Sequence, residues 1–206
     1  MTDEDKRATA YHEAGHALVA LLTPDSDPVH KVTIIPRGMA LGVTWTMPDE
    51  DRFTRTKAQM VARIKHGMGG RAAEKLVLDY FSTGASNDLK QATETARDMI
   101  CLYGMSEIIG PVSLGEGDHD VFLGRDFMSR SNYSEHTARL IDQEVKAMLE
   151  KLYDEAYQLL SDNRATLDRI TEALLERETL DRAELKLLLK GETLPPLSLP
   201  IANAPP

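Results

Sequence analysis

With 206 residues, a formal net charge of −9, 42% hydrophobic and 28% charged side chains, the chain has the make-up of an ordinary globular protein able to bury a real core. The acidic balance, with no Lys/Arg cluster, argues against a nucleic-acid surface. The single cysteine, Cys101, excludes a disulfide framework and a cysteine-based zinc site, and no apolar run approaches the ~20 residues of a bilayer span, so neither a signal peptide nor membrane contact by this segment is expected.

Residues 3–23 are rich in helix formers, with Ala10, Ala14, Ala17, Leu18 and Leu21 at helical spacing and Pro24 closing the run. Inside this predicted helix lies His12-Glu13-Ala14-Gly15-His16. Residues i and i+4 are neighbours on a helix face, so the two imidazoles can close on one Zn²⁺ while Glu13 reaches a nearby water. Ala14 and Gly15 leave room for another element to approach.

Residues 29–35 and 41–47 are β-rich, with Pro36, Arg37 and Gly38 between them, and predict a small hairpin. Its exposed edge could accept an extended peptide by strand addition, or be purely structural. A second helix is expected over 56–80, where Gly67, Gly69 and Gly70 point to a kink or a tight crossing. No phosphate-binding loop is present.

Ser82-Thr83-Gly84-Ala85-Ser86-Asn87-Asp88-Leu89 reads as a turn feeding a helix to about Tyr103, ended by Gly104. Residues 105–132 read as irregular, and Asp118-His119-Asp120 within them as a solvated loop. Ser134 should cap a long amphipathic helix broken near Asp162 or Asn163, with shorter helices at 164–177 and 181–190. The proline-rich stretch from Gly191 reads as a disordered tail. Cys101 reads as a packed thiol, and His30, His66 and His136 as ordinary surface or core histidines. The fold expected is mainly α, with a small hairpin or sheet near the active site.

The two histidines need a third protein ligand. A third histidine six positions after His16 would make a metzincin, but Leu22 stands there. Two carboxylates remain. Glu74 follows glycines that permit a close crossing, and Asp88 stands at a helix entry, where Ser86 and Asn87 could cap in its place; Glu94 is weaker. Residue chemistry alone leaves this choice open.

Thr9-Ala10-Tyr11-His12-Glu13-Ala14-Gly15-His16-Ala17, Gly69-Gly70-Arg71-Ala72-Ala73-Glu74 and Ser82 to Leu89 together resemble the peptidase domain of the FtsH family, peptidase family M41. Tyr103-Gly104-Met105-Ser106, Phe122-Leu123-Gly124-Arg125 and Ile141-Asp142-Gln143-Glu144-Val145 continue the likeness in order, over about residues 8 to 160. The resemblance implies a helical zincin-type metalloprotease domain holding one Zn²⁺ through His12, His16 and Asp88, with Glu13 as catalytic base and Glu74 as a supporting carboxylate. It also implies unfolded or translocated protein substrates, a homohexamer, and an AAA+ ATPase module and transmembrane helices in the full-length protein, absent from this chain. That protein would sit with this domain on the cytoplasmic side of the bacterial inner membrane, while the segment itself would be soluble. The expected organisation is a metallopeptidase domain over 1–190, with a catalytic part (1–133) and a helical part (134–190), then the tail at 191–206.

The expected activity is that of a zinc-dependent endopeptidase. Its rival is a non-catalytic helical oligomerisation module that zinc merely staples. Glu13 separates the two, because a structural site fills all four zinc positions and has no use for a free carboxylate beside the histidines.

Overall fold

The computed structural model describes residues 2–36, 38, 41–48, 53–114 and 133–196. Thr2 starts the first helix, α1 (Asp3–Leu22), through a reciprocal cap with Asp5, and Asp3, Glu4 and Asp5 favour the positive end of its dipole. The chain leaves α1 at Thr23 and returns as β1 (Val29–Thr33) and β2 (Val43–Thr46), an antiparallel pair with Val32 opposite Thr44. Near the C-terminus, β3 (Thr179–Asp181) pairs with the other side of β1, placing Leu180 opposite Val32. The strand order is therefore β2-β1-β3, and β2 is an edge among the described residues. The sequence reading misses β3. Three residues are too few to carry an alternating pattern, and pairing with β1 is what makes them a strand.

The second helix, α2 (Lys57–Leu78), begins with the reciprocal Thr56–Gln59 cap. It crosses α1 where two glycines face each other. A Cβ on Gly15 would stand 2.4 Å from the Gly69 carbonyl oxygen and 2.6 Å from Ala73 Cβ, and one on Gly69 would stand 2.7 Å from the Gly15 carbonyl oxygen. Of the two expectations for these glycines, the structure shows the tight crossing. Gly15→Ala should therefore destabilise the fold, because backbone is the obstacle on the far side and the ~1 kcal/mol gain in helix propensity cannot offset it. We expect a net loss of about 2 kcal/mol, read as a thermal midpoint lower by roughly 6 °C in calorimetry. An unchanged midpoint would mean that the helices can slide apart without cost.

A single 3₁₀ turn (Thr83–Ala85) then leads into α3 (Ser86–Cys101). Ser134 caps α4 (Glu135–Asp162) by accepting from the Thr137 N–H, followed by α5 (Arg164–Arg177) and α6 (Arg182–Lys190). Buried side chains from every helix join one core, including Leu18, Ile64, Met99, Ile141, Leu160, Ile170, Leu174 and Leu185, with Leu180 of β3. This core anchors α1 and α2 on both sides of their crossing. Cys101 is buried. Among the described residues, no helix is long and apolar enough to cross a membrane. Asp118-His119-Asp120, Phe122-Leu123-Gly124-Arg125 and the tail from 197 onward lie outside the described residues.

Candidate metal centre

The α1–α2 crossing determines what His12 and His16 face. Both project from α1 toward α2 at Gly70, where a Cβ would stand 2.5 Å from His12 Nε2 and 2.6 Å from His16 Nε2. The lack of a side chain at Gly70 is what lets the two rings lie there.

Each ring is held by its other nitrogen. His12 Nδ1 lies 2.7 Å from Glu74 Oε1, and His16 Nδ1 lies 2.8 Å from the His66 carbonyl oxygen. A carboxylate and a carbonyl only accept, so His12 Nδ1 carries a proton and donates it, and so does His16 Nδ1, whose contact to the carbonyl is shorter than the 3.3 Å to the Gly70 N–H on its other side. In the neutral rings, both Nε2 lone pairs then point into the same space.

Asp88 completes the group. Its Oδ2 is 3.3 Å from His12 Nε2 and 3.3 Å from His16 Nε2, and the two Nε2 atoms are 3.0 Å apart. Ligand bonds of about 2.0–2.1 Å in a tetrahedral zinc site imply ligand-to-ligand separations of roughly 3.3 Å. The triangle thus fits one zinc ion without rearrangement, and His12, His16 and Asp88 are the cluster among the described residues able to hold a metal. Asp88 stands in the first turn of α3, whose N-cap is Ala85 and not Ser86 or Asn87 as expected, and its carboxylate is directed at the two ring nitrogens.

Glu74, the other carboxylate left open by the sequence, occupies a different place. It is 3% exposed, accepts from His12 Nδ1, and accepts from both the backbone N–H and the hydroxyl of Ser82 at 2.9 Å each. It therefore ties α1 to the turn that delivers Asp88. Burial opposes the charged form of Glu74, but His12 and Ser82 outweigh it and hold its carboxyl below the usual range. Asp88 behaves likewise: burial is overcome by its hydrogen bonds to His12 and His16. Burial also opposes a charge on His12, yet Asp88 and Glu74, helped by Glu13, raise its pKa to about 10.

Glu13 is 6% exposed and lies beside the triangle, with Thr44 Oγ1 of β2 2.8 Å from its Oε2. His12, Glu13, His16, Thr44, His66 and Asp88 all line one groove of about 1290 Å³. Three of the site's supports were not singled out from the sequence. Thr44 sits in a strand whose alternation does not reveal what it faces. Ser82 could have been read as a turn cap before Gly84, whose N–H it accepts. His66, read as an ordinary histidine, instead lies edge-on to His16 with ring centroids 5.4 Å apart and supplies its backbone carbonyl. Burial and the neighbouring His16 push the His66 ring down to about 3, so it is neutral at working pH. His30 packs at the sheet, its Nε2 3.2 Å from the Met47 carbonyl oxygen.

Residues 1–188 match the profile described as Peptidase family M41. The chain is 52% identical over 210 residues to an ATP-dependent zinc metalloprotease FtsH of Myxococcus xanthus (strain DK1622), covering 100% of this chain and 32% of that protein. It is 55% identical over 197 residues to an ATP-dependent zinc metalloprotease FtsH 4 of Sorangium cellulosum (strain So ce56), covering 95% of this chain and 30% of that protein. A third relative, the FtsH of Acidobacterium capsulatum, is 49% identical over 197 residues, covering 96% and 31% respectively. The chain spans about a third of the length of the curated relatives it matches.

Proposed function

Since the chain belongs to peptidase family M41, a class of zinc metalloendopeptidases, we propose that it hydrolyses peptide bonds at a zinc ion held by His12, His16 and Asp88. The observation that carries this reading is the triangle of two Nε2 atoms and one Oδ2, opening on the same groove as the buried carboxylate of Glu13. Bound zinc supplies the Lewis acid that polarises the scissile carbonyl and acidifies water. Glu13 takes the proton of the attacking water on its carboxylate and passes it to the leaving amine. Glu74 and the His66 carbonyl hold the two rings in the tautomer that leaves Nε2 unprotonated.

The substrate is an extended, unfolded segment of protein. β2 is an edge strand that pairs with β1 alone among the described residues, and it borders Glu13, so a peptide added to this edge would run past the base. A groove that holds the donor triangle together with a carboxylate outside it favours catalysis over a zinc-stapled oligomerisation module. In the full-length protein we place this domain, residues 1–190, behind an AAA+ ATPase module in a homohexamer. That assembly would be anchored in the bacterial inner membrane and face the cytoplasm. The ATPase module is supported by the relatives, which are named as ATP-dependent zinc metalloproteases; the hexamer and the membrane anchor are what the likeness to the FtsH family implies.

Stripping the metal with a chelator should abolish casein cleavage, and stoichiometric Zn²⁺ should restore it. Persistent cleavage by the stripped protein would refute the proposal. Metal uptake should also be strongly pH-dependent. With its pKa raised to about 10, His12 is protonated at pH 7 in the stripped protein and must lose that proton to ligate. Zinc binding should release about one proton from this ring, and apparent affinity should fall roughly tenfold per unit between pH 9 and 7 on this account. Calorimetry in buffers of different ionisation enthalpy would measure the release; none at all would mean that His12 is neutral beforehand.

A further inference from the structure

Glu13 is confined by two residues of the segment that ends in β2. Thr44 Oγ1 lies 2.8 Å from Glu13 Oε2 and 3.1 Å from the Glu13 carbonyl oxygen. The hydroxyl has one proton to give, and the carboxylate oxygen is both nearer and the stronger acceptor, so Thr44 donates to Oε2. On the other side Gly42 comes so close that a Cβ there would stand 2.7 Å from both Glu13 Cγ and Oε1. Any side chain at Gly42 would push the carboxylate off its place.

A glutamate on an unsupported helix face has three rotatable bonds and would spend much of its time turned away from the reacting atoms. Fixing Oε2 removes the rotation of the carboxylate and leaves Oε1 to handle the proton. We propose that Thr44 is a positioning residue for peptide hydrolysis: its hydroxyl fastens the Glu13 carboxylate in the orientation that meets the attacking water, in space that Gly42 leaves open. This rests on Glu13 being the base. Because Thr44 stands on the edge strand beside which an extended peptide would lie, the same strand sets the register of substrate and base together.

Two substitutions and one measurement without turnover test this. Thr44→Val keeps shape and strand preference but removes the donor, and Thr44→Ser keeps the donor. In the zinc-loaded protein, Thr44→Val should lower kcat about 10- to 100-fold on a fluorogenic peptide, with KM within about twofold and zinc content unchanged. Thr44→Ser should recover most of the loss. In the chelator-stripped protein, Thr44→Val should lower the thermal midpoint by roughly 5 °C, and by much less when Glu13→Ala has already removed its partner. Equal losses in the Val and Ser variants, or the same midpoint shift in the Glu13→Ala background, would overturn the proposal. Cleavage surviving in Glu13→Gln would instead remove the base assignment, and the catalytic part of the proposal with it. The midpoint comparison would be untouched, so the two failures are distinguishable.

Discussion

Glu13→Gln is expected to lose casein cleavage by at least about 10²- to 10⁴-fold while retaining a full complement of zinc. The substitution preserves shape, and the amide oxygen can still accept from Thr44 at the position of Oε2. What it removes is the ability to take and return a proton. The metal should remain because Glu13 is not one of the three donor atoms that converge on it. Zinc analysis and initial rates on the same preparation separate these effects. Wild-type cleavage would exclude Glu13 as the base, and loss of zinc would place Glu13 among the ligands. Retained zinc without cleavage would also dispose of the stapled-module reading, in which Glu13 has no task.

Much of this site was legible because its first half is local. His12 and His16 share a helix face through a spacing that the chain itself fixes, and the cap at Ser134 and the break after Asp162 were equally local signals. The second half depends on where α2 and α3 lie against α1, which no short window encodes. Glu74 and Asp88 are both carboxylates on helices that glycines or turns bring close, so residue chemistry leans toward Asp88 without deciding between them. The structure separates them by atom: Glu74 meets the Nδ1 side of His12, Asp88 the Nε2 side. Supports made through backbone or across a strand left still less trace. The His66 carbonyl has no side-chain signature, Thr44 looks like any β-branched strand residue, and β3 exists only because Leu180 can pair opposite Val32.

The distinction between the two carboxylates yields the other large effect. Asp88→Ala should reduce zinc affinity by about 10²- to 10³-fold, an equal share of the roughly 10–16 kcal/mol released when four ligands bind structural zinc. Cleavage should fall to background at ordinary zinc concentrations. Asp88→Asn tests charge apart from shape, since it keeps an oxygen near both Nε2 atoms yet lacks the negative charge that balances the ion. It too should bind poorly. Glu74→Gln is the informative contrast. It touches no position in the donor triangle and should cost only about 10- to 100-fold, by loosening the His12 ring and the Ser82 turn. Competition against a chromophoric chelator measures all three on one scale. If Glu74→Gln proved as damaging as Asp88→Ala, the ion would be drawn toward the Nδ1 side of His12 and the ligand assignment would be reversed. If Asp88→Ala kept its zinc, the triangle would be a hydrogen-bonded cluster rather than a metal site. The expected order, Asp88→Ala well below Glu74→Gln and Glu74→Gln below wild type, follows from which ring nitrogen each carboxylate faces.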